Sequence, residues 1–411
     1  MAHTRDFGHK ICGENPMELS KIQEQIKQAS ADAWIMVDYE NHNPAMVTLL
    51  GKHMLTRKIF LAIPAAGRPY LIAHQIDTVY LSTEDIRSRF DLKVYKTWEQ
   101  MLALEKECFK TYKTVLMDVS EAGLLPRVSL ADYGSVSFVK ELGIDVLSSA
   151  DLQQFLTSVI DEKGLQSQQK ACKTALKIKD EAFRLIALRI RQNEPVTEYD
   201  VQQYIAHRFT EEGMYYDEAP IVAIGPNASN PHYAPNAKTH APIRQGDLVL
   251  IDMWAKYKEE GSVYADITWM GYVGDVVPEV YRQRFAIVKG ARDAAIDFLK
   301  RELPLRPVQA YEVDQVARKV IEAAGYGEYF THRLGHSIHC DDSPHGPGAN
   351  LDDFESHDTR TLLSGTSFSD EPGIYAPDFG MRSETDLYVK GKELLVVGGL
   401  QEEVVPILSL P

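Results

Sequence analysis

Two apolar runs in this chain each carry an aspartate. Asp252 closes LVLID within DLVLIDMW (247–254), and Asp266 sits inside VYADITWM (263–270). Both runs read as buried strands from their β-branched and aromatic content. Carboxylates are depleted in strands and costly inside a core unless they are paired or bound to a cation. One carboxylate at a strand end ordinarily points to solvent. Here the problem recurs at Glu371 in SDEPGIY and Glu384 in MRSETDLYV. Four such residues ask for a common explanation. Two divalent cations roughly 3.5–4 Å apart need bridging carboxylates, and one or two nitrogen ligands commonly join them.

A source of nitrogen lies between the two pairs. HRLGHSIHCDDSPH (332–345) holds four of the thirteen histidines, His332, His336, His339 and His345, with Cys340, Asp341 and Asp342 among them. All can ligate metal. A run like this is ordinarily a polar surface loop, and the four distant carboxylates are what make it a candidate.

The rest of the chain divides in two. Residues 1–162 alternate strand and helix patterns: a helix opened by Asn15 and Pro16 with Leu19, Ile22, Ile26 and Ala29 on one face, strand AWIMV (33–37), a hairpin of KIFLAI (58–63) and PYLIAH (69–74), strand TVLMDV (114–119), and helices near 129–142 and 149–160. This predicts an α/β domain with a mixed sheet. Apolar patterning breaks around IDEKGLQSQQK (160–170). Residues 163–411 predict an α+β domain: a long helix to about Arg191, a helix from Thr197 with Asp200 completing a capping box, strands at 220–225, 247–254 and 263–270, helices at 278–303 and 311–325, and strands again in the last 50 residues.

Composition narrows the class. The chain has 411 residues, 44 Lys+Arg against 59 Asp+Glu and a net charge of −15, which disfavours a nucleic-acid partner. No apolar run approaches the roughly 18 residues of a membrane span. The first residues lack a signal-peptide core, and the four cysteines are scattered without a CxxC pair. The expectation is a cytoplasmic protein with reduced cysteines.

The order Asp, Asp, His, Glu, Glu, carried in LIDMW, YADIT, HRLGHSIH, DEPGIY and RSETD, resembles the metallopeptidase family that holds prolidase, aminopeptidase P and methionine aminopeptidase. PIVAIGPNASNPHY resembles the family's stretch ending in an active-site histidine. MELSKIQEQIKQASADAWIMVDYENHN and the following hairpin resemble its creatinase-type N-terminal domain. The resemblance implies an α/β creatinase-like domain followed by an α+β pita-bread domain, and two divalent ions, Mn²⁺ first, with Co²⁺, Zn²⁺ or Fe²⁺ as alternatives. By position, Asp252 would chelate one ion, Asp266 and Glu384 would bridge both, and His336 and Glu371 would complete the second. A water or hydroxide between the ions would be the nucleophile. Glu371 would shuttle its proton, and His232 and His345 would donate hydrogen bonds to substrate and oxyanion. His332, His339 and Arg382 would line the substrate side, Arg382 with an equal claim to orienting the ligand carboxylates. Homodimers are expected from the family.

The creatinase-type domain favours the branch that cleaves before proline, and the expected activity is that of an Xaa-Pro dipeptidase on small peptides. An Xaa-Pro aminopeptidase is the near alternative, followed by a metal-dependent lyase and a non-catalytic binding module on the same fold. The chain departs from the family in places. Its two aspartates are 14 apart, with KYKEEG (256–261) as the excess, Trp254 and His339 stand where small residues or Gly are usual, and His345 comes nine residues after His336, later than usual.

Overall fold

The computed structural model describes residues 19–411, so the expected cap Asn15 and Pro16 lie outside the described residues. The chain divides into two compact units, the first ending at Thr157 and the second running Ser158–Pro411. The division precedes the expected boundary at 162 because residues 158–162 already belong to the second unit: Ile160 N–H donates to Gly365 O at 2.7 Å, and Asp161 caps the following helix through Gly164 N–H.

The first unit carries six strands: β1 (Ala33–Asp38), β2 (Ile59–Pro64), β3 (Tyr70–His74), β4 (Asp91–Tyr95), β5 (Thr114–Met117) and β6 (Asp145–Ser148), in the order β4-β3-β2-β1-β5-β6. β1–β2 and β2–β3 are antiparallel and the other pairs parallel, so the sheet is mixed, as expected. Both faces are covered. Trp34 and Met36 enter one core, and Ala33, Ile35 and Val37 the other, so β1 reads as an unbroken apolar run. Around the sheet lie α1 (Leu19–Gln28), α2 (Pro44–Leu50), α3 (Thr78–Leu81), α4 (Glu84–Arg89), α5 (Trp98–Phe109), α6 (Tyr133–Glu141) and α7 (Ala150–Thr157). Sequence reading missed α2 and α5. Their signals were the caps, Asn43 accepting from Met46 N–H and Thr97 from Gln100 N–H.

In the second unit, α8 (Glu162–Arg191) and α9 (Glu198–Glu211) precede β7 (Met214–Tyr215), β8 (Ile221–Ile224), β9 (Leu248–Tyr257) and β10 (Ala265–Tyr272); α10 (Glu279–Glu302) and α11 (Ala310–Ala323) follow. The expected capping box opens α9, with Asp200 N–H on Thr197 Oγ1 and Thr197 N–H on Asp200 Oδ2. The C-terminal strands are β11 (Ser337–Ile338), β12 (Ser367–Asp370), β13 (Gly373–Ala376), β14 (Phe379–Arg382), β15 (Thr385–Lys390), β16 (Glu393–Val396) and β17 (Val405–Pro406). β17-β10-β9-β7 form one sheet with β8 also on β9, β11-β12-β15-β16 a second, and β13-β14 a hairpin. Two cores flank β9 and β10. α8 and α9 bring Ala175, Phe183, Ile205 and Phe209 to one, and α10 and α11 bring Val288, Leu299, Val313 and Ile321 to the other.

Candidate metal centre

The period of two along β9 builds half of the site. Val249, Ile251, Met253, Ala255 and Tyr257 point into the core under α8 and α9, and Leu248 and Leu250 into the core under α10 and α11. That second face then turns polar at Asp252, Trp254 and Lys256. β10 repeats the pattern: Ala265, Ile267 and Trp269 are apolar, while Tyr264, Asp266 and Thr268 share the polar face. The antiparallel register sets Asp252 across from Thr268 and Trp254 across from Asp266.

The other half comes from β11, β12 and the β14–β15 segment. His336 is held by reciprocal bonds: its N–H donates to Ser369 Oγ at 2.9 Å, and Ser369 N–H donates to His336 O at 2.9 Å. This approach needs Gly335, where a Cβ would overlap the Ser369 carbonyl. Glu371 N–H reaches Leu334 O at 2.9 Å, and Ser369 Oγ donates to Glu371 Oε1 at 3.1 Å. Glu384 follows β14, and its Oε2 accepts from Thr268 Oγ1 at 2.6 Å.

The five sequence-expected ligands therefore stand on elements packed together. One donor atom each of Asp266, His336 and Glu384 lie within 4.8 Å of one another. His336 Nε2 is 3.4 Å from Asp266 Oδ2 and 3.7 Å from Glu371 Oε1. Asp252 joins through Arg382, which donates to Asp252 Oδ2, to Thr268 Oγ1 at 2.9 Å and to Tyr375 Oη at 3.0 Å. Thr268 thus links Arg382 to Glu384.

Burial pushes all four carboxyls upward, and they raise one another. Asp266 and Glu384 stand well above the usual carboxylate range, Asp266 through burial and the Glu384 and Asp252 charges, Glu384 through burial and the Glu371 and Asp252 charges. Glu371 is pushed up to about 7 by burial, with Arg382 opposing, and Asp252 is raised by burial against the same guanidinium. Three buried carboxylates and the part-buried Glu371 against one contacting guanidinium leave an excess of negative charge that water screens poorly. A carboxylate-rich, single-imidazole donor set fits hard or borderline divalent cations, and two of them would balance the excess. The residues fit the ions.

The remaining expected residues separate. His232 is exposed just beyond Gly225–Ser229, close enough for its charge to favour the ionised form of Asp252. His345 is exposed, its ring 4.0 Å from that of His336. His332 is held between Arg333 O at 2.6 Å and Tyr375 Oη at 2.7 Å, and burial with the Arg382 charge pushes its pKa down to about 3, which keeps it neutral. His339 and Arg382, expected to meet substrate, are 1% and 4% exposed. His339 pairs with Asp341 at 3.3 Å, and the contacts of Arg382 support its orienting role. His339, Cys340 and Asp341 also cluster as possible metal donors. Cys108 and Cys172 are free thiols and Cys340 is not, so this triple offers no thiolate, and the cysteines lend no support to the expected reducing compartment.

The loop that carries His345 is tied to the β9–β10 hairpin at successive carbonyls. Tyr264 N–H donates to His339 O at 3.3 Å, Lys256 Nζ to Cys340 O and to Asp341 O, the latter at 2.5 Å, and Tyr264 Oη to Asp342 O at 3.1 Å. The Lys256 ammonium lies 4.9 Å from the Tyr264 ring centroid and 5.7 Å from that of Tyr215. The sequence-noted excess KYKEEG thus begins with the loop's anchor. Sequence reasoning missed Thr268, Tyr375, Ser369, Lys256 and Asp386, whose Oδ2 accepts from Asp266 N–H at 3.2 Å. The alternation that sets Asp266 on the polar face would have found Thr268; the others are set by tertiary contacts.

Fold and donor set together define a metallohydrolase with a creatinase-type first unit and a pita-bread second unit. A crystal structure of a dipeptidase from Mycobacterium ulcerans has the same fold, with a TM-score of 0.61, 23% identity, and coverage of 94% of this chain and 96% of that one. Residues 170–391, more than half of the chain, match the model of metallopeptidase family M24, and the chain belongs to that family. It is a metallopeptidase, and its family implies divalent metal ions. An uncharacterized peptidase of Staphylococcus saprophyticus is 26% identical over 91% of this chain and 96% of its own length. An Xaa-Pro dipeptidase of Lactobacillus delbrueckii is 38% identical over 165 residues, 40% of each chain. Among the described residues no helix is long and apolar enough to cross a membrane.

Proposed function

We propose that this chain is an Xaa-Pro dipeptidase that works with two divalent cations, Mn²⁺ first among Mn²⁺, Co²⁺, Zn²⁺ and Fe²⁺. The observation that carries the reading is the convergence of Asp252, Asp266, Glu371 and Glu384 with His336 on one buried polar face, in a chain similar to Xaa-Pro dipeptidases. Asp252 would hold one ion, Asp266 and Glu384 both, and His336 and Glu371 the second. When bound, the cations supply Lewis acidity toward a carbonyl and acidify water.

The chain's own groups do the rest. Glu371, oriented by the hydrogen bond that its Oε1 accepts from Ser369 Oγ, shuttles the proton of the attacking water. The exposed His232 and His345 donate hydrogen bonds to the substrate and to the charge that develops on its carbonyl oxygen. Arg382 and Thr268 hold Asp252 and Glu384 in place. An Xaa-Pro bond has no N–H, so a site built around the carbonyl accepts what backbone-gripping sites do not.

Asp266→Ala or Glu384→Ala should abolish metal retention and Xaa-Pro hydrolysis together. Full activity in either variant, or after chelation, overturns the reading. A homodimer is part of this reading, and sedimentation tests it.

Burial of His339 and Arg382 favours a second reading, an Xaa-Pro aminopeptidase. A dipeptidase must hold the free carboxylate after proline, and of His339, His345 and Arg382, the groups able to do so, His345 is the one left exposed. Rates on Xaa-Pro against Xaa-Pro-Yaa peptides decide; a clear preference for the tripeptide selects the aminopeptidase.

A further inference from the structure

Trp254 occupies a position that the site's chemistry does not require. It lies on the polar face of β9, two residues from Asp252, and its Cα partner across the hairpin is Asp266. Directly opposed residues place their Cβ atoms about 5 Å apart, so the indole starts beside a candidate bridging carboxylate. The ring is half-buried, part of it packed against the core under α10 and α11. Its Nε1–H donates to Asp217 Oδ1 at 2.8 Å. The result is a flat apolar surface, fixed by its hydrogen bond and its core contact, beside Asp252 and Asp266.

We propose that Trp254 is a specificity-determining residue: its indole face packs against a large apolar side chain of the residue preceding proline. The inference rests on the Xaa-Pro reading. In such substrates the proline is constant, so a wall that discriminates among them reads the other side chain. A tryptophan fixed by its own hydrogen bond loses little freedom on contact, and an aromatic or branched aliphatic partner buries area against it.

The test compares kcat/KM for Phe-Pro, Leu-Pro and Gly-Pro in metal-loaded wild type, Trp254→Ala and Trp254→Phe, with metal content and unfolding temperature measured on each. In Trp254→Ala the Phe-Pro to Gly-Pro ratio should fall about tenfold, through KM rather than kcat, and Trp254→Phe should restore most of it. An unchanged ratio overturns the proposal, as does a rise, which would make the indole a barrier to bulky residues. A second readout does not need turnover. Phe-Pro with its scissile carbonyl reduced to methylene should change the indole fluorescence of metal-loaded wild type, and the change should be lost in Trp254→Phe. No change in wild type also overturns the proposal. Absence of Xaa-Pro turnover in wild type defeats the dipeptidase reading instead, and the fluorescence titration still decides the role of Trp254.

Discussion

Asp252 and Arg382 form an ion pair in which neither partner meets bulk water, at 7% and 4% exposure. Removing one member of such a pair leaves the other charge buried and alone, which costs about 3–5 kcal/mol. Arg382→Met should therefore lower the unfolding temperature of the metal-free protein, and added Mn²⁺ should narrow the gap by supplying positive charge at the same carboxylates. Thermal denaturation with chelator and with metal checks this. Equal stability of variant and wild type in chelator would remove the pair from any supporting role.

The carboxylate cluster makes a separate prediction about metal removal. Asp266, Glu371 and Glu384 repel one another in the ion-free protein, so cation binding should stabilise the second unit by mass action. At a free concentration of 100 times Kd the gain is about 2.7 kcal/mol. A calorimetric scan against Mn²⁺ concentration should show a rising transition for wild type and a flat one for Glu384→Ala. A flat wild-type response would count against the cluster as a cation site.

Lys256 anchors the loop ahead of His345 through the carbonyls of Cys340 and Asp341. Lys256→Met should raise amide hydrogen exchange across residues 339–345 and leave α10 unaffected. If the loop positions His345 for substrate, Lys256→Met should raise KM in wild type and have little further effect in a His345→Ala background. Independent, multiplying effects would separate the anchor from His345.

Glu105 offers a pH test in the first unit, far in sequence from the metal ligands. It is 2% exposed, its Oε1 lacks a hydrogen-bond partner among the described residues, and burial lifts its carboxyl to about 7, with Lys58 opposing. A carboxyl raised on folding binds its proton more tightly in the folded state. Its contribution is therefore fully present below the unfolded value of 4.5 and is lost as pH climbs through about 7. Above that the penalty is on the order of 3 kcal/mol. Glu105→Gln should stabilise the protein at pH 8 and change little at pH 4. Denaturant midpoints at the two pH values that move together would show that Glu105 does not carry the effect.

Apolar runs rich in β-branched and aromatic residues made β1, β9 and β10 legible from the sequence, and carboxylates interrupting β9 and β10 marked the face on which the donors meet. The capping box at Thr197 and Asp200 was readable because both members lie within one turn. Arg382 and His339 show where such reading stops. A charged or titratable residue near ligands can face substrate or turn inward, and the choice rests on partners distant in sequence: Asp252 for Arg382, the Tyr264 backbone for His339. Lys256 was noted only as part of an insertion, since its acceptors are backbone carbonyls more than 80 residues away, which no side-chain pattern reveals.

On β9, residues of the core under α8 and α9 alternate one by one with residues of the other face, which turns polar at Asp252. A single codon gained or lost between Leu248 and Asp252 would bring Met253 or Ile251 to the position of Asp252 and put an apolar side chain where a carboxylate stands. Past Tyr257 that constraint lapses, and Gly261 turns the chain with a φ of +75°. The hairpin can therefore absorb length changes at its tip but not along its strand, and insertions in related sequences should cluster between 258 and 261.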